Sequence, residues 1–343
     1  MPLSLNSFRD AAQETVLAFL WRAWSALGVA GQGRDAFREL ADPEALLVFT
    51  LSMARYDARL FDAVLEWLGA NGRFVSPQRL RLLMRRSGFR GQVAVGAAAA
   101  WLDGTSPSWR WRLSATRGTV TSSPEPLFLT KNGRALPVVG NVDAVFLSHG
   151  LLRSPFVQRG VALSFPAEAP SCLWLRLRAL FGVSARADVL AYLLTCTSGH
   201  AREIARRTGY AQRTVLDVLS DMERSGYTDS IVQGRIRTMR VNAALRGGLL
   251  EYGPPQWKPW PEILEMLETL WWNIEEWCEL GLSGIGLDSE ILLTARPMAE
   301  QLARAGLADA IELQHQKGFE LLAGMFRLID AQSVPQHNAR KAR

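Results

Sequence analysis

Lysine is almost missing from this 343-residue chain: four residues stand against 35 arginines, with only four histidines and three cysteines. Cys172, Cys196 and Cys278 are odd in number and far apart, which excludes a disulfide framework and predicts a reducing compartment, the cytoplasm. None of these residues falls at metal-ligand spacing, so no metal site is expected. Long apolar runs are lacking too. The longest, Val93 to Leu102, is too short to span a bilayer. The N-terminus carries Arg9, Asp10, Gln13 and Glu14 where a secretory signal needs an unbroken apolar core. No membrane association is expected.

Catalytic motifs fail one after another. Residues 28–33 are glycine-rich but follow a helical pattern, where a dinucleotide fingerprint needs a strand. Residues 281–286 miss the spacing of a nucleophile elbow by one position. His149 stands alone between Ser148 and Gly150, and the adjacent Glu275 and Glu276 point to different sides of a helix. The expectation is a protein with no catalytic residues and no cofactor.

What is present is charge of uneven distribution. The net charge of +6 conceals 11 basic and 6 acidic residues between 172 and 242, against 5 basic and 14 acidic between 250 and 330. A single nucleic-acid-coating surface would not divide this way. One part can face a polyanion, and the acidic part should face a partner, a second copy or solvent. The preference for arginine suits phosphate contacts, although in a chain this rich in Ala, Arg and Gly it also follows genomic base composition.

The hydrophobic spacing predicts a mainly α fold in five stretches. Residues 1–113 read as a helical N-terminal domain. Asn6 or Ser7 caps its first helix, Asp42-Pro43-Glu44 and Ser76-Pro77 start later ones, and a further helix runs from Arg59 to Leu68. The helix over residues 76–87 carries Arg79, Arg81, Arg85 and Arg86. It reads either as a second nucleic-acid contact or, more simply, as a solvated basic face or one salt-bridged to Asp57, Asp62 and Glu66. Residues 114–170 form an irregular connector with short strands at 119–121, 127–129, 137–139 and 144–147, including a hairpin around Asn132-Gly133. Residues 250–331 form an acidic, tryptophan-rich helical region with helices at 262–280, 288–305 and 307–329, suited to dimerisation or partner binding. Residues 332–343 read as a disordered tail.

The remaining stretch, 171–249, is the most specific. A helix from Ser171 to Phe181 precedes one from Ser184, its N-cap, to Thr195. A short helix at 202–207 then ends on Gly209, where a turn between crossed helices favours positive φ. The next helix, about Ala211 to Arg224, buries Val215, Val218, Leu219 and Met222 and stops at Gly226. Strand, turn and strand follow from Ser230 to Val241 with Gln233-Gly234 at the tip. Through Arg202-Glu203-Ile204-Ala205, Thr208-Gly209-Tyr210, Arg213-Thr214-Val215 and Met222-Glu223-Arg224-Ser225-Gly226, residues 184–242 resemble the DNA-binding core of winged helix-turn-helix regulators of the MarR and ArsR type. Ala211 departs from the usual serine or threonine cap, and Asp217 places an acid on a helix expected to meet phosphates.

The resemblance implies roles. Gln212, Arg213 and Thr214 would read base edges, Gln suiting adenine and Arg guanine, while Asp217 would accept from cytosine or orient Arg213 from one turn away. His200 and Arg202 at the start of the first helix, and Arg235 and Arg237 on the hairpin, would hold the DNA backbone. The expected function is that of a transcriptional regulator binding double-stranded DNA as a homodimer, a repressor. The alternative is a non-catalytic interaction module of antitoxin-like or assembly type, using the winged helix and the acidic helices to hold another protein.

Overall fold

The computed structural model describes residues 4–29, 37–86, 89–105, 123–160, 164–233, 236–251 and 253–329. Among the described residues the chain forms fifteen α-helices and two small two-stranded sheets, a mainly α fold. It divides into two compact units: residues 21–260, and residues 1–20 together with 261–343. These limits differ from the sequence boundaries at 113, 170 and 249.

Five helices come first: α1 (Leu5–Ala26), α2 (Pro43–Met53), α3 (Ala58–Asn71), α4 (Pro77–Met84) and α5 (Gln92–Thr105). Local chemistry sets their starts. Asp42 caps α2 by accepting from the Ala45 amide at 3.0 Å, and Ser76 caps α4 from the Arg79 amide at 3.3 Å, each with proline in the first turn. The cap of α1 is neither Asn6 nor Ser7 but Ser4, whose hydroxyl accepts from the Ser7 amide at 3.2 Å. Every residue of α2 is buried, polar ones included, so its polar atoms need partners. Thr50 Oγ1 donates to the Leu46 carbonyl at 2.6 Å and accepts from Trp24 Nε1 at 2.8 Å. Trp24 meets Trp67 edge-on at 5.0 Å, and Trp67 Nε1 donates to the Leu27 carbonyl at 2.6 Å.

The connector holds less sheet than its apolar runs suggest. Residues 144–147 are not a strand but most of a short helix, α6 (Ala144–Ser148), because Asp143 accepts from the Val145 and Phe146 amides at 2.9 and 3.1 Å. The sheet here is a parallel pair of two-residue strands, β1 (Glu125–Pro126) and β2 (Leu151–Leu152). The Asn132-Gly133 turn forms, with Gly133 at φ 73°, but supports one bridge, Leu129 with Ala135. Residues 137–139 form no strand, and the run at 119–121 lies outside the described residues.

Helices α7 (Leu173–Phe181), α8 (Ala185–Thr195), α9 (Ala201–Thr208) and α10 (Gln212–Arg224) lead into an antiparallel hairpin, β3 (Thr228–Gln233) with β4 (Ile236–Val241), and then α11 (Ala243–Leu249). Ser184 does stand at the N-cap of α8, yet its side chain makes no capping bond. One core joins Leu173, Trp174 and Leu177 to Leu190, Leu193, Ile204, Val215, Leu219, Met239 and Val241. Gly209 ends α9 in the left-handed conformation at φ 81°. Gly199 is required for a different reason: it exchanges two backbone hydrogen bonds with Met239, and a Cβ there would come within 2.6 Å of the buried Tyr192 ring.

The smaller unit contains most of α12 (Trp260–Glu279) and all of α13 (Gly284–Arg304), α14 (Asp309–Leu313) and α15 (Gly318–Arg327). Residues 307–329 are therefore not one helix. The break falls at 314–317, and α15 begins on Gly318 at φ 52°, a conformation that interrupts a helix. Along α12, Ile263, Leu267, Leu270, Trp271, Ile274 and Trp277 are buried, the stripe that its spacing predicts. The tail at 332–343 lies outside the described residues.

Candidate nucleic-acid interface

Helix α10 is amphipathic, so burying Val215, Val218 and Leu219 turns Gln212, Arg213, Thr214 and Asp217 outward, and all four are exposed. Arg213 has a side-chain exposure of 85 %, and its Nε lies 3.2 Å from Asp217 Oδ1 one turn along. The two side chains form an ion pair along the helix. Ala201, Arg213, Leu216, Asp217, Glu223 and Arg237 line one open cleft of about 640 Å³. The start of α9, the outer face of α10 and the hairpin thus converge on a single surface.

At the start of α9, His200 Nδ1 accepts from the Glu203 amide at 3.3 Å, so the imidazole serves as the helix cap. Arg202 is exposed beside it. On the hairpin, Arg237 Nη2 donates to both Glu223 carboxylate oxygens at 2.5 Å. Arg237 and Ser230 hold the Glu223 carboxyl below its ordinary range. Arg235 lies outside the described residues. Asp221 is also paired, 2.8 Å from Arg186, so each acid on α10 has an arginine beside it. Exposed pairs of this kind contribute little to stability, because water and salt screen them. A phosphate can therefore displace the carboxylates at small cost.

The surface rests on a buried ionic chain that the spacing of residues does not reveal. Arg79 on α4 grips Asp42 with two bonds, 2.6 and 2.9 Å, and reaches Glu44 at 3.4 Å. Arg178 on α7 bonds the same Glu44 at 2.5 Å and holds Asp188 on α8 at 2.9 and 3.1 Å. Both guanidinium groups lie over the Trp174 ring, whose Nε1 donates to Asp188 at 2.6 Å. Tyr210, in the turn before α10, lies close enough to Asp188 that burial together with that carboxylate raises its pKa. Burial opposes the Arg178 charge, but Asp188 and Glu44 outweigh it and raise its pKa. Arg79 is accordingly not part of a solvated face. The carboxylates named from sequence go elsewhere: Asp57 caps α3, Asp62 takes Arg153 at 2.8 Å, and Glu66 accepts from the Arg159 amide.

Two guanidinium groups here face three carboxylates, and one consequence is measurable. Burial pushes Asp42 up to about 6, against the pull of Arg79 and with Glu44 adding to the rise. The unfolded chain releases that proton near pH 4, so between pH 4 and 6 the folded state binds more protons. Stability is then full at the acidic end of this window and falls as pH rises through about 6. Asp42→Asn keeps a cap acceptor and removes the titration. Thermal melting across pH 4 to 7 is expected to show the wild-type midpoint dropping relative to the variant; parallel curves would contradict the shifted carboxyl.

Compared with protein-family models, curated proteins and solved structures, the chain matches none. Among the described residues, no helix is long and apolar enough to cross a membrane.

Proposed function

We propose that the protein binds double-stranded DNA in a sequence-selective way through α10 and acts as a transcriptional regulator, a repressor working as a homodimer. One observation carries the reading. Gln212, Arg213 and Thr214 occupy the exposed first turn of a helix that is flanked by a second helix start and a two-stranded hairpin. In the helix-turn-helix mode that first turn enters the major groove, where Gln and Arg side chains match adenine and guanine edges. His200, Arg202 and Arg237 then stand where flanking phosphates would pass. The surface is mixed in sign, but its acids are paired and its arginines reach furthest into solvent.

The competing reading, a protein-docking module, draws less support. It would use an open aromatic patch on the acidic helices, yet Trp260 and Trp271 are fully buried and Trp272 is half-buried.

The test is fluorescence anisotropy of the full chain with pooled duplexes, including the DNA upstream of its own gene, across a salt series. Selective binding with a negative slope of log K against log salt is the expected result. The stoichiometry of the same titration reports whether two copies occupy one site. Absence of binding at low salt would overturn the proposal and direct attention to a protein partner.

A further inference from the structure

The basic helix α4 lies against the turn that leads into α10. A Cβ built on Gly209 would fall 2.8 Å from Leu82 Cδ2, so the middle of α4 touches the first residue of the α9–α10 connection. Leu82 is 42 % exposed, and Arg81 and Arg85 are exposed on either side of it. One helical turn separates these arginines, placing them about 6 Å apart along the same face. Around them the sequence is single-signed: residues 67–102 contain six arginines and no acidic residue.

The opposite side of α4 is fixed. Arg79 is buried in its ion pairs with Asp42 and Glu44, and through Glu44 it is joined to Arg178 on α7 and Asp188 on α8. Helix α4 is therefore tied by buried bonds to α7 and α8, whose core includes Val215 and Leu219 of α10, while its outer face carries cations. Elements beside the leading end of a groove-entering helix meet the phosphate backbone at the groove edge, which positions a protein without reading sequence.

We infer that Arg81 and Arg85 form a second, sequence-independent arm of the DNA footprint, clamping the duplex backbone next to the segment read by α10. The inference rests on the DNA reading proposed above and adds a contact the hairpin and recognition helix do not supply. Each arginine neutralises one phosphate and releases its counterions, so the pair contributes about 1.8 to the salt slope.

The experiment compares wild-type protein with Arg81→Gln/Arg85→Gln on the duplex selected by anisotropy, and on the same duplex shortened from each end up to the selected segment. Circular dichroism and melting of the variant are expected to match wild type, since both side chains are exposed. At low salt the variant should bind roughly tenfold or more weakly, with a slope shallower by about 2 and an unchanged ranking of sequences. Shortening one end should weaken wild type and leave the variant indifferent. If wild type binds and the variant keeps its affinity and slope, the α4 arm is wrong while the DNA reading stands. If affinity falls but shortening affects both proteins alike, the arginines act only as distant charge, and direct clamping is overturned. If wild type binds no duplex, the parent reading has failed, and the clamp fails with it.

Discussion

Replacing Arg178 by methionine is expected to lower the unfolding free energy by about 3–5 kcal/mol, a large share of the 5–15 kcal/mol that holds a typical domain. The side chain is fully buried, and its removal leaves Glu44 and Asp188 facing each other at no exposure without their shared cation. Removing one partner of a buried pair costs far more than the pair itself contributes, because the stranded charge keeps its desolvation penalty. A control separates charge from packing. Arg178→Met combined with Glu44→Gln and Asp188→Asn removes all three charges at nearly constant volume and should recover most of the loss. Denaturant unfolding followed by tryptophan fluorescence reads both, since Trp174 stacks on Arg178 and donates to Asp188. A loss under about 1 kcal/mol for the single exchange, or no recovery in the triple variant, would mean the chain of ions is not what fastens α2, α4, α7 and α8 together.

That chain also explains which parts of the molecule were legible in the residues and which were not. Asp42-Pro43, Ser76-Pro77 and the Gly209 turn are local signals, fixed by bonds between residues two to four apart, and each sits where its chemistry requires. The outward face of α10 follows from the spacing of Val215, Val218 and Leu219, and the contact of Arg213 with Asp217 follows from their separation of one turn. Glu44 and Arg178 are 134 residues apart, and nothing in their neighbourhoods announces a partner. The same holds for Arg237 and Glu223, which meet only because the hairpin folds back on α10. Arg79 misleads for a related reason. Its three arginine neighbours within residues 76–87 suggest a solvated face, but the helix has two sides, and one of them is buried. Residues 144–147 fail differently: four apolar residues fit a strand or a helix equally well. The deciding signal was Asp143, a capping residue just ahead of the run.

On the function itself, Arg213→Ala should weaken binding to the selected duplex by roughly 10- to 100-fold, the range for one bidentate contact to a guanine. Binding to unrelated duplexes should fall only a few-fold, because there the side chain is one cation among several. The ratio of the two, measured at one salt concentration, is the quantity that tests base reading. Asp217 sharpens the test. It sits 3.2 Å from Arg213 and is itself more than half exposed, so in free protein it holds the guanidinium along the helix, and on DNA it would stand near the phosphates. Asp217→Asn removes a repulsive charge and an orienting one together. Unrelated duplexes should then bind more tightly by a few-fold, while the selected duplex gains less or loses, and selectivity falls. If instead Arg213→Ala weakens every duplex by the same factor, and Asp217→Asn strengthens every duplex by the same factor, both residues act through charge alone. Base reading would then have to lie with Gln212 and Thr214, whose polar side chains occupy the same exposed turn.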